Sequence, residues 1–155
     1  VARSAALRGD AEVVELVEAK LEARLAAARG PELVPFLEAA GNAGCAACVP
    51  AIARAATHPS AEVRRVAAAA RRFDGTEGAV SSMCGALRGD EAEPVREHAA
   101  WALGHLMTHL HLRRACLVNA AQGDESESVR AAARNALGTL GIPQPVEASD
   151  PSRSL

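Results

Sequence analysis

The chain has 155 residues, a formal net charge of −2 and 2% aromatic residues, with no tyrosine. The near-neutral balance gives no electrostatic case for nucleic acid or an anionic membrane surface, and the poverty in aromatic residues excludes an ordinary β-rich core. No apolar run approaches the roughly 20 residues that span a bilayer. No leader peptide is visible, and because the chain begins at Val1 it is expected to be a fragment of a larger protein.

Ala, Leu, Glu and Arg dominate, all strong helix formers. A first helix is predicted from about Asp10, its N-cap, to Arg29. Val13, Leu16, Val17, Leu21 and Leu25 recur along it at helical steps, and Gly30-Pro31 stops it. A second helix, about Glu32 to Ala40, carries Leu33, Phe36 and Leu37 and is predicted to end at Gly41-Asn42. Three hairpins follow. The first has helix A over about Ala46–Ala56, the turn His58-Pro59-Ser60, and helix B over about Ala61–Phe73. The second has Glu77–Leu87, the turn Gly89-Asp90, and a helix B from about Ala92. The third has Leu112–Ala121, the turn Gly123-Asp124, and Ser126–Leu140. Beyond Gly141 the residues are Pro, Ser, Asp and Glu without apolar periodicity, which reads as a flexible tail over 142–155.

Each helix B opens on one phrase. The pairs Val63-Arg64, Val95-Arg96 and Val129-Arg130 lie 32 and then 34 residues apart. A period of that size means stacked helical hairpins, since no single hairpin covers its own apolar face. The expected fold is all-α, a right-handed α-solenoid over residues 1–141, with an irregular hairpin over 10–41 and repeats over about 45–73, 77–110 and 112–141. The phrase apolar-Arg-x-x-Ala-x-x-Ala-Leu-Gly resembles the HEAT repeat, specifically the bacterial HEAT-like repeats of phycobilisome lyases. Ala99–Gly104 and Ala133–Gly138 carry that resemblance, whereas Arg71 and Arg72 replace the closing Leu-Gly in the first repeat. The segment Leu37–Gly44 leading to Val49-Pro50 is similar to the helical domain of vitellogenin-type lipid carriers.

One cluster stands out: His98, Trp101, His105, His109 and His111. At about 100° per residue, Val95, Ala99, Ala102, Leu103 and Leu106 share one face of a helix. His98, Trp101, His105 and His109 form the adjoining stripe, and Glu97 falls on the solvent side. His105 and His109 have the i, i+4 spacing by which a helix offers two imidazoles to a metal; the other reading is a helix edge facing solvent and the next repeat. Deoxyhypusine hydroxylase, a HEAT-repeat iron enzyme, uses repeated His-Glu pairs. Here Glu97-His98 occurs once and in reverse order, so neither that activity nor a metal is expected. Glu97–Ala102 also resembles a segment in the C-terminal HEAT region of epoxyqueuosine reductases, whose catalytic half has no counterpart here.

Cys45-x-x-Cys48, Cys84 and Cys116 are read as reduced, buried thiols packed between helices in a cytosolic setting. Arg64, Arg96 and Arg130 recur at one position of every helix B. They are read as an internal structural ladder to carboxylates such as Asp90, Glu93, Asp124 or Glu127, rather than as a site for an acidic partner. No phosphate loop, nucleophile elbow or carboxylate pair appears. The expected function is a non-catalytic scaffold without a cofactor. It would bind a protein or peptide, not nucleic acid, through His98, Trp101 and His105 on the helix B face. The alternatives are a metal- or cofactor-handling enzyme or chromophore-lyase-like protein using His98, His105 and His109, and the helical segment of a lipid carrier. The oligomeric state is not legible.

Overall fold

The computed structural model describes residues 11–142. Every regular element among them is helical: α1 (Ala11–Ala27), α2 (Leu33–Ala43), α3 (Val49–Ala55), α4 (Ala61–Ala70), α5 (Glu77–Gly89), α6 (Glu93–His105), α7 (Leu110–Gly123) and α8 (Glu127–Thr139), with 3₁₀ turns at Gly30–Glu32 and Arg71–Phe73. They form hairpins α1–α2, α3–α4, α5–α6 and α7–α8, stacked as an all-α solenoid. The even-numbered helices pack successively into an inner layer, and the odd-numbered ones lie outside. The proposed cap Asp10 and the tail beyond Ile142 lie outside the described residues.

The valine of each Val-Arg phrase is the keel of its repeat. Val63, Val95 and Val129 are fully buried, as are Leu103 and Leu137 near the far ends of their helices. Burying a side chain of this size contributes about 1.5–3 kcal/mol. The apolar stripe of α1 differs from the expected one. Leu25 is buried and Val14, Val17 and Leu21 pack partly, while Val13 and Leu16 face outward. Only one side of α1 has α2 and α3 to pack against.

Helix α2 does not stop at Gly41-Asn42; it runs to Ala43 and is capped by Gly44 in the left-handed region, φ 66°. Gly41 is there for proximity. A Cβ on it would lie 2.7 Å from Ala70 Cα. Gly104 serves the same purpose at a later junction, where a Cβ would meet Ala136 Cβ at 2.8 Å. Glycine against alanine is what lets inner helices touch almost backbone to backbone.

Helix α6 ends sooner than the histidine stripe implies. Its last residue is His105, and His109 lies in the following loop with φ 50°, capping α7. Arg113 of α7 explains the stop. It is buried and donates from Nη1 to the carbonyl oxygens of Leu103 and Leu106, satisfying the end of α6. Burial without a carboxylate partner pushes its guanidinium pKa down.

The cysteines are not free thiols. Cys45 pairs with Cys48 at the entry to α3, Cα to Cα 5.3 Å, and Cys84 of α5 pairs with Cys116 of α7 at 5.7 Å. Their separation of 32 residues is two short of the spacing between these two repeats, so the bond joins neighbouring faces of adjacent outer helices half a turn out of register. The reading of reduced thiols is corrected, and the argument for a cytosolic setting goes with it.

The glycines differ in sign. Gly104→Ala is expected to cost about 1–3 kcal/mol through overpacking against Ala136. Gly85→Ala, where a Cβ meets nothing within 4 Å, is expected to gain about 0.5–1 kcal/mol. Urea unfolding checks both, and a Gly104→Ala protein as stable as the parent would contradict the close approach.

Candidate functional site

The two sets of residues singled out by sequence occupy different regions of the stack. Arg64, Arg96 and Arg130 sit at the turn end. His98, Trp101 and His105 project from α6 into a groove across the inner layer.

At the turn end, each arginine reaches two places. Arg64 donates from Nη1 to the carbonyls of His58 and Pro59 in its own turn. From Nε and Nη2 it also donates to both carboxylate oxygens of Asp90 in the next turn, at 2.8 and 2.9 Å. Arg96 repeats this with the Asp90 carbonyl and with Asp124 at 3.0 and 3.1 Å. Both aspartates also accept a backbone N–H two residues on, from Ala92 and Ser126. Arg130 keeps the bonds to its own turn, to Asp124 and Glu125 carbonyls, and takes Glu127 for its carboxylate. In the α3–α4 hairpin His58 holds the aspartate's place, accepting from Ser60 N–H through Nδ1. Leu33 of α2 stands where an arginine would reach it. These guanidinium groups are largely committed to the stack. The Arg64 bond is the main cause holding the Asp90 carboxyl below its ordinary value of 3.8; Asp90 in turn raises Arg64, and Asp124 raises Arg96.

The groove holds about 840 Å³ and is walled by α2, α4, α6 and α8. Reading the repeats in register explains its lining. Six residues after the valine of each phrase come Ala69, Trp101 and Asn135, and all three line it. Trp101 is 39% exposed, large for an indole in the middle of a packed layer. Its ring lies 4.3 Å from that of His105, and the Arg72 guanidinium carbon stands 5.6 Å from it on the other repeat. Ala131, Ala132 and Ala136 of α8 make a shallow apolar floor beyond it.

The histidines have assigned protons. Arginine N–H groups only donate, so His98 Nε2 accepts from Arg65 Nη1 at 3.0 Å, and its Nδ1–H donates to the Pro94 carbonyl at 2.9 Å. His105 Nδ1–H donates to the Trp101 carbonyl at 2.8 Å. His109 does not join them, so the i, i+4 imidazole pair of the metal-binding alternative is not formed. Among the described residues no three His, Cys, Asp or Glu side chains converge on a point where a metal would sit.

Three groove residues contradict the helical-wheel reading or escape it. Glu97 lines the groove rather than the solvent side, because the neighbouring inner helices close around that edge of α6. Arg72 takes the place filled by Gly104 and Gly138 in the later repeats. It donates to Asn42 Oδ1 at 2.9 Å and to the Ala69 carbonyl at 3.1 Å, and stacks at 4.7 Å over Phe73. The signal for it is the break in the repeat itself: a glycine position holding an arginine. Arg65, clamped by Glu62 at 2.7 and 2.8 Å, is visible in the sequence only as an exposed helix charge.

The chain belongs to the HEAT-repeat family: a family model described as HEAT repeats matches residues 22–104, more than half of its length. No curated protein matches it significantly.

The rungs should be visible in acid. Asp90 has a depressed folded-state pKa, so its contribution is fully present above the unfolded value and is lost as pH falls through the folded one. Asp90→Asn is expected to be less stable than the parent near neutral pH, with the gap closing below about pH 3.8. Urea midpoints from pH 7 to pH 3 measure it; a gap independent of pH would show that the charged pair adds nothing.

Proposed function

We propose that this HEAT-repeat chain is a non-catalytic interaction module that holds a protein or peptide partner in the groove of its inner helices. The observation that carries the reading is Trp101: a large amphipathic ring left 39% exposed at the groove's centre, fixed by flanking groups. Exposed aromatic rings on a rigid floor are the residues that concentrate binding energy when a partner covers them. Around the ring, the Asn135 amide and the outer ring nitrogen of His105 offer hydrogen bonds, and the alanine floor accepts apolar side chains. A groove this open suits an extended or helical segment better than a small molecule needing enclosure.

The absence of catalysis belongs to the same proposal. The ring nitrogens of His98 are both engaged by structural partners, and Arg65 is held by Glu62. The groove's cations, Arg65 and Arg72, face Glu38 and Glu97 along the same walls, a balance that favours a mixed protein surface over a nucleic-acid backbone. No helix among the described residues is long and apolar enough to cross a membrane. The likeness to phycobilisome-lyase repeats is retained as the finer family reading.

Selection of phage-displayed random peptides on the immobilised protein tests the reading. Enriched peptides are expected to bind Trp101→Ala about 30-fold more weakly or worse, with Tm nearly unchanged. Arg88→Ala on the outer layer should bind like the parent. Equal affinity for the Trp101→Ala protein, or a steep fall in its Tm, would remove Trp101 as an anchor.

A further inference from the structure

We infer that the stack carries a hinge between its α3–α4 and α5–α6 hairpins, and that bending there sets the width of the groove. The consequence rests on the groove being the binding surface, but the hinge stands on packing alone.

Three observations meet at this junction. First, its two layers are unequally joined. The inner helices α4 and α6 pack closely, whereas the outer helices α3 and α5 hardly touch. Between the end of the α3 side and α5 is a cleft of about 330 Å³ walled by Thr57, Arg64, Ala68, Ser82 and Gly85. At the next junction α5 and α7 are packed together and joined by Cys84–Cys116, leaving a cleft of about 170 Å³. Second, the apolar interior is divided. A first cluster extends from Leu25 to Ala70, a second from Ala68 to Leu137, and they meet only at α4.

Third, the repeat pattern fails here in a way that weakens adhesion. Where α6 and α8 bury Leu103 and Leu137, the first repeat buries Arg71. Its Nη1 donates to Ser82 Oγ at 2.9 Å, its Nη2 lies 3.6 Å from Asp74, and its Nε has no partner. A buried, imperfectly satisfied cation holds two surfaces together less firmly than a leucine would. It also ends α4 in a 3₁₀ turn rather than a full helical turn.

The geometry of bending follows. The rung from Arg64 to Asp90 and the α4–α6 seam form the pivot. Closing the outer cleft about that pivot draws the inner edges apart. The contacts broken on that side are Arg65 with His98 and Arg72 with Trp101. They act as latches that hold the groove in its narrow form, and a partner wedged beside Trp101 would shift the balance towards the wide one.

Pulsed electron–electron distance measurements test this on the full chain. Azide-bearing residues carrying nitroxides at positions 54 and 88 span α3 and α5; a second pair at 88 and 119 spans α5 and α7 and leaves the native cysteines untouched. The first pair is expected to give a distance distribution roughly two or more times as wide as the second, and Arg71→Leu is expected to narrow it. Equally narrow distributions for both pairs would overturn the hinge, and a wide distribution unchanged by Arg71→Leu would overturn its placement at that residue. Peptides that bind through Trp101 while both distributions are narrow would sink the hinge and leave the groove standing. A wide first distribution with no peptide dependent on Trp101 would do the reverse.

Discussion

The stack depends on one shared side chain: an arginine that bonds its own turn and the turn of the next hairpin at once. A helical hairpin has no intrinsic reason to sit on its neighbour at one height rather than another, because apolar faces slide with little penalty. The guanidinium fork removes that freedom. It demands two parallel oxygens in a plane, and a turn aspartate already oriented by its own Asx bond supplies them. With Arg96 fixed in this way, Gly104 falls opposite Ala136, and α6 and α8 approach closely enough to continue the wall that Gly41 and Ala70 begin at the α2–α4 junction without a rung. The groove is therefore a product of the turns, although no turn residue of the ladder contributes its charge to the groove's floor.

What varies along this regular wall is informative because so much else repeats. Three helices present Ala69, Trp101 and Asn135 at one register position, so the middle repeat projects a ring where its neighbours present small or amide groups. The first clear repeat replaces its closing Leu-Gly with Arg71 and Arg72. One of these cations enters the core and the other enters the groove. A helix terminus that loses both its apolar plug and its close-contact glycine is a poor structural choice, and it sits directly across from Trp101.

Period and turn chemistry are the most legible features of the sequence. They rest on bonds within a few residues, or on positions one repeat apart, and both leave a mark in the residue order. The buried face of α6 can be read from angle alone, from Val95 to Leu106. Sequence misplaces His109 on that helix because the terminator, Arg113, lies in α7 and acts through space on carbonyls that sequence does not show. Gly41 reads as a stop because glycine usually ends helices; its actual reason, the backbone of Ala70, belongs to a different hairpin. Cys84 and Cys116 read as single residues, because their 32-residue spacing does not match the 34 between their repeats and the contact forms only once the outer helices pack. Glu97 falls on the solvent side of a helical wheel because a wheel contains no neighbours.

The Cys84–Cys116 link also changes how the chain bears load. Pulled from its ends, a solenoid normally yields hairpin by hairpin, because each touches only its neighbours. A covalent bond between α5 and α7 lets tension pass from Cys84 to Cys116 without entering the 32-residue span between them. About 110 Å of contour is thereby withheld from extension. That withheld length contains the whole of α6, with His98, Trp101 and His105, so the middle of the groove lies off the force path while the α3–α4 side remains on it.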